Sequence, residues 1–177
     1  MNISELLEFE KRRPFHAAPE ADGLTEQNAL AEADLLDVRL RSVAGAVDLL
    51  FDVRGALQFR IADTAVLSVG GLQLFEWHRD SSFAGRRQAH QVMVSEPRVV
   101  GNSFEFEVGC LGGWGFLVRG LSAEFFVGCV PGLLDPPPNF VEDSPEVIEA
   151  ELQNWRSEFE PEGASFIDAF SGAATQC

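Results

Sequence analysis

Residues 104–130, FEFEVGCLGGWGFLVRGLSAEFFVGCV, carry the clearest structural signal in this chain. Phe104, Phe106, Val108 and Cys110 alternate with Glu105 and Glu107. Successive side chains of a strand leave on opposite faces, so this spacing describes one buried and one wetted face. From Leu121 the pattern returns: Leu121, Ala123, Phe125, Val127 and Cys129 fall on one face, Ser122 and Glu124 on the other. Gly112, Gly113, Gly115 and Gly120 lie between and supply the backbone freedom of tight reversals. Three antiparallel strands are expected, near 104–111, 114–119 and 121–129.

Upstream the same alternation recurs in short runs. Strands are expected over 35–43, 47–53, 57–61, 65–69 and 72–79, with turns at Ala44-Gly45, Gly55, Asp63-Thr64 and Gly70-Gly71. Val92–Val94 and Arg98–Val100, on either side of Pro97, return the chain to the sheet. Between them, residues 79–91 (RDSSFAGRRQAHQ) are polar and read as a protruding loop. At the N-terminal end, residues 3–13 predict a helix stopped by Pro14, and Thr25 is placed to cap a second one, TEQNALAEAD.

Beyond Val130 the composition changes. Pro131-Gly132 and Pro136-Pro137-Pro138 predict an extended crossing without ladder hydrogen bonds. Ser144-Pro145-Glu146 then opens a helix with a hydroxyl cap, a proline at its first position and a carboxylate at the positive end of its dipole. Ile148, Leu152, Trp155 and Phe159 form a stripe at helical spacing that is expected to dock on the sheet. The tail after Phe170 reads as frayed. The fold class is α+β: an antiparallel meander, sandwich-like or half-barrel, flanked by N-terminal and C-terminal helices. The chain reads as one domain, with a helical segment to residue 34, the sheet over 35–130, and the Pro-rich crossing with its acidic helix over 131–170.

A chain of 177 residues can bury roughly 70% of its unfolded surface. It has fifteen Phe, three Trp and no Tyr, so no phenol is available for acid–base or nucleophilic chemistry. The net charge of −15 disfavours nucleic acid and anionic lipid and favours a basic protein partner, although acidity also serves solubility alone. No run approaches the ~20 apolar residues of a membrane span, and the start, MNISELLEFEKRR, lacks the apolar region of a signal peptide. Three cysteines do not suggest a disulfide framework, and whether Cys110 and Cys129 pair is open. A cytoplasmic location is expected. The oligomeric state is not legible.

The chemistry-bearing patterns are sparse. The histidines are His16, His78 and His90; with Asp80, the last two suggest a metal site or a base and its orienting carboxylate. Their spacing is also that of surface residues flanking a loop. Glu105 and Glu107, about 6.6–7 Å apart along a strand, could divide acid and base roles, yet an exposed strand face also looks like this. No nucleophile elbow, zinc-protease or paired-cysteine motif occurs, and the glycines of 109–115 lack the Lys and Ser/Thr of a P-loop. No catalytic residue, metal or cofactor is expected. Trp114 and Phe126, the latter on the polar face of its strand, are either covered by the C-terminal helix or exposed to a partner.

The passages DLLDVRLRSVAGAVDLLFDV, LSVGGLQLFEW and LSAEFFVGCV resemble β-rich immunity proteins of bacterial toxin systems, over about residues 34–130. That resemblance implies a compact sheet domain that neutralises a toxin by binding it, and transfers no site residue. The acidic C-terminal part lies outside it. From Val130 to Cys177 there are ten acidic residues and one basic, a net of −9. A basic partner such as a toxin or nuclease is therefore expected to engage Glu146, Glu149, Glu158 and Glu160, with Trp114 and Phe126 as apolar candidates. The competing expectation is a small enzyme using the His78/Asp80/His90 loop or the Glu105/Glu107 face.

Overall fold

The computed structural model describes residues 1–8, 17–79, 90–169 and 173–175. In chain order these form α1 (Ile3–Glu8), β1 (Asp34–Arg41), β2 (Ala46–Asp52), β3 (Thr64–Gly70), β4 (Leu74–Arg79), β5 (His90–Val100), β6 (Ser103–Cys110), β7 (Trp114–Gly120), β8 (Ser122–Cys129), α2 (Pro145–Glu151), β9 (Glu160–Asp168) and β10 (Ala173–Thr175). All strand pairs are antiparallel, in the order β10-β9-β8-β3-β2-β1-β5-β6-β7-β4. The protein is β-rich, and among the described residues its helices are two short segments of six and seven residues.

The sheet folds back on itself at a corner where β3 runs on into β4 and β7 into β8. Only Leu121 separates β7 from β8, and Gly70 O accepts its N–H at 2.9 Å. Gly71 takes a φ of 59° there. Gly120 serves a close approach, since a Cβ on it would lie 2.5 Å from Val69 Cγ1 and 2.6 Å from Gly70 O. Gly112 and Gly113, at φ 85° and 75°, make the β6–β7 turn. Gly115 is also a strand glycine, not a turn residue: a Cβ there would sit 2.6 Å from Val108 O.

Folding the sheet over creates an inner face filled by Leu49, Phe51, Leu67, Phe104, Phe106, Phe116 and Phe125, all fully buried. The other face of β2, β3 and β8 is buried as well. There Ile3, Leu6, Leu50, Val66, Phe126, Val130 and Phe159 form a second apolar layer. Every residue of β2 is consequently buried. Charged positions on this covered face need partners. Asp48 accepts from Arg39 Nε at 3.2 Å, from Arg41 Nε at 2.7 Å and from Ser68 Oγ at 2.8 Å. Arg39 also lies 4.6 Å over the Trp155 ring, and Trp155 Nε1 donates to Asp37 at 2.6 Å.

Several expected elements differ. The helix proposed from Thr25 is a series of turns, with Asn28 and Glu32 at φ 59° and 68°. Alternate amides bond to β5, Asn28 N–H to Ser95 O, Leu30 N–H to Ser95 Oγ and Glu32 N–H to Val92 O, while those of Ala29, Ala31 and Ala33 bond back to Glu26 O, Asn28 O and Leu30 O as isolated turns. Residues 57–61 are a loop and not a strand. Val92–Val100 is part of one strand, which tolerates Pro97 because β5 pairs with β1 only through His90 and Gln91 and has no second ladder there. The first helix is described to Glu8, and its expected continuation to residue 13 lies outside the described residues, as do His16, Asp80 and the loop over 81–89.

The largest departure is at the C-terminal end. The helix stops at Glu151 because Leu152 is extended, with φ −104° and ψ 143°, and Asn154 closes a turn by accepting from Arg156 N–H. Ile148, Leu152, Trp155 and Phe159 therefore share no helical stripe, and α2 buries no residue. Phe126, 3% exposed, is covered by α1 together with Val130 and Phe159, not by α2. Residues 160–168 are a strand paired with β8, and 173–175 pair with β9 in place of a frayed end.

Candidate binding surface

The residues suggested for catalysis are not assembled. His78 lies over Gly115 on the outside of the β4–β7 pair. His90 is on the inner side, its ring 4.9 Å from that of Trp114 and 6.0 Å from that of Trp77. Strand alternation thus puts the two histidines on opposite faces. Burial holds the His90 imidazole below its usual pKa, and its Nδ1 has no hydrogen-bond partner among the described residues. Glu105 is not on a wet face. It is 7% exposed and accepts from Arg119 Nε at 2.6 Å, while the exposed Glu107 accepts from Arg98 at 2.7 Å. Each carboxylate of the pair is thus tied to an arginine on a neighbouring strand of the sheet. Among the described residues, no group of three or more His, Cys, Asp or Glu side chains is placed to hold a metal ion.

Trp114 is half-buried on the inner face, packed edge-on against Trp77 with centroids 5.7 Å apart. Phe126 belongs to the second apolar layer and offers nothing to a partner. Cys110 and Cys129 are free thiols. Burial, and secondarily Asp34, pushes the Cys110 pKa to about 11.

One carboxylate stands out near the seam between β1 and β5. Asp34 is opposite Asp52 in the β1–β2 ladder and opposite Gln91 of β5. Burial, and then the negative charge of Asp52, raise its pKa from 3.8 to about 6, against the attraction of Arg54. A folded-state pKa above the unfolded one gives stability that is complete below about pH 3.8 and lost as pH rises through about 6. Asp34→Asn is therefore expected to stabilise the fold above pH 6, by on the order of 1–2 kcal/mol after solvent screening. The difference from the parent should vanish towards pH 4. Parallel urea titrations at pH 4 and pH 7.5 check this; equal differences at both pH values would show that Asp34 titrates normally.

Acidic residues of α2 and of the start of β9 lie beside the loop 53–63 that joins β2 to β3. Arg54, at the loop's start, is paired bidentately with Asp52 and donates to the carbonyls of Leu134 and Glu151, which ties the Pro-rich crossing and the end of α2 to the loop. At the loop's end the Asp63 carboxylate accepts from Val130 N–H at 2.9 Å, and Gln153 Nε2 reaches Asp63 O at 3.3 Å. On the other flank Cys129, opposite Glu160 in the β8–β9 ladder, donates its thiol to Ile61 O at 3.3 Å. Burial raises the pKa of that thiol, and the charges of Asp63, Glu162 and Glu160 raise it further, as expected of an electronegative region. Glu146, Glu149, Glu158 and Glu160 are exposed. They do not sit on one helix: two are on α2, Glu158 bridges to Asn2, and Glu160 opens β9.

Five arginines are taken up within the molecule, Arg39 and Arg41 by Asp48, Arg54 by Asp52, Arg98 by Glu107 and Arg119 by Glu105. Among the described residues none of Glu149, Glu158, Glu160 and Glu162 forms an ion pair. No helix among the described residues is long and apolar enough to cross a membrane. Comparison with protein-family models, with curated proteins and with solved structures gave no match.

Proposed function

We propose that this chain is a non-enzymatic acidic binding protein of the bacterial cytoplasm that engages a basic protein, in the manner of an immunity protein neutralising a toxin or nuclease. The observation that carries this reading is the asymmetry of charge pairing. Asp48, Asp52, Glu105 and Glu107 of the sheet are paired with arginines, whereas the exposed Glu149, Glu158, Glu160 and Glu162 have no ion-pair partner among the described residues. Folding alone gives no reason to concentrate like charges in this way. A complementary field does, because it raises the association rate with a basic surface and is suppressed by salt.

The test is the triple reversal Glu149→Lys, Glu158→Lys and Glu160→Lys. All three side chains are exposed, so the variant should retain its melting transition. Association with a basic toxin captured by cross-linking should slow at least about tenfold at low salt, with a smaller difference at high salt. An on-rate and salt dependence equal to those of the parent would mean that the acidity serves solubility.

A further inference from the structure

Two large aliphatic side chains stand in solvent on the 53–63 loop: Leu57, 83% exposed, and Ile61, 64% exposed. The loop that displays them is tightly held. Val53 N–H bonds to Asp63 O at 3.0 Å and closes its base, and Ala56 and Phe59 N–H groups bond to Val53 O and Ala56 O. Ala56, Phe59 and Ala62 are buried anchors in the inner core. The Glu20 carboxylate fixes the backbone directly before Ile61, accepting from Arg60 N–H at 2.7 Å and from Ile61 N–H at 3.2 Å. Ile61 O receives the Cys129 thiol. A loop fixed at so many points meets little conformational cost when it binds. The loop holds Phe59 in and turns Leu57 and Ile61 out.

We propose that Leu57 and Ile61 are the apolar anchor of the partner surface, contacting an apolar side chain on the basic protein while Glu160, Glu162 and Glu20 meet the cations around it. An apolar centre within a charged rim is the usual division of labour in an interface: the centre sets the dissociation rate and the rim sets the encounter. Arg60, exposed between the two aliphatic residues, is the one basic side chain of the loop tip; Arg54 is taken up by Asp52. This inference rests on the binding reading above. It adds the class of side chain that the partner must present.

The probes are two fluorescein-labelled Arg/Lys-rich peptides, identical except for a central Leu-Phe or Ser-Ser pair, titrated by anisotropy. The parent is expected to bind the Leu-Phe peptide at least about fivefold tighter, the equivalent of about 1 kcal/mol. Leu57→Ser with Ile61→Ser should abolish that preference while leaving affinity for the Ser-Ser peptide unchanged. The triple Glu→Lys reversal should weaken both peptides and keep the preference. Preference retained in the double Ser variant overturns the anchor and leaves the acidic surface standing. Failure of the parent to bind either peptide removes both readings. A parent dimer in sedimentation velocity that the double variant dissolves would make the loop a contact between copies, also overturning the proposal. Should the double variant lose its melting transition, Leu57→Ser alone carries the same comparison.

Discussion

Asp48→Ala is expected to cost about 3–5 kcal/mol, a large part of the stability of a domain of this size. Asp48 is fully buried on the covered face of β2, and its two oxygens receive Arg39, Arg41 and the Ser68 hydroxyl. Removing the carboxylate leaves two guanidinium groups facing each other, with only about a quarter of each side chain in contact with water. The loss spreads beyond the pair, because Arg39 also donates to Ser4 Oγ at 2.8 Å and Arg41 to Leu7 O. Both ends of α1 are thereby tied to the sheet through one acid. Urea denaturation should show the midpoint falling with an unchanged slope. A loss below about 1 kcal/mol would mean that the arginines relax to solvent and that Asp48 does not organise this face.

Phe125→Ala should be comparably severe, about 3–5 kcal/mol, as emptying a fully buried aromatic site usually is. The ring fills the inner face beneath the segment 21–33, and a Cβ added to Gly23 would come within 2.9 Å of Phe125 Cε2. The two positions are thus coupled through one volume. Gly23→Ala should destabilise the parent by overpacking and do much less in the Phe125→Ala background, where the methyl group enters the vacated space. Strictly additive free energies from denaturant titration of the four proteins would show that the ring moves away freely.

Most strands were legible where one face is apolar and the other charged. Phe104 to Cys110 shows this, and it places Phe106 and Phe125 inside. The pattern misleads where both faces are buried. Leu50, Val66 and Phe126 sit at positions the alternation assigns to solvent, and α1, residues 155–159 and Phe166, all distant in sequence from the central strands, cover them. Local spacing carries no record of such a covering layer. The stripe Ile148–Phe159 misled for a related reason: Trp155 and Phe159 are apolar because they pack on that second layer, and the Asn154 turn, not the spacing, decides the backbone. Leu57 and Ile61 alternate like a strand with Phe59, yet belong to a loop that begins at Arg54-Gly55. The acidity of the last third was legible as composition; that part of it lies beside the 53–63 loop depends on Arg54, Asp63 and Cys129 hydrogen bonds that no sequence spacing reveals.

The covering of the second face also has a bearing on biosynthesis. Ile3 N–H bonds to Ser157 O, Ser4 N–H to Trp155 O, and Phe159 N–H to Met1 O, so α1 is held by a segment that is translated long after it. Until residues 155–159 leave the ribosome, β2 and β3 can pair, but Leu50 and Val66 have only part of their cover. The nascent sheet therefore presents a sticky apolar surface until that segment arrives, the circumstance in which chains aggregate or recruit chaperones. A chain shortened ahead of Trp155 keeps most of its strands and leaves that surface open to other molecules.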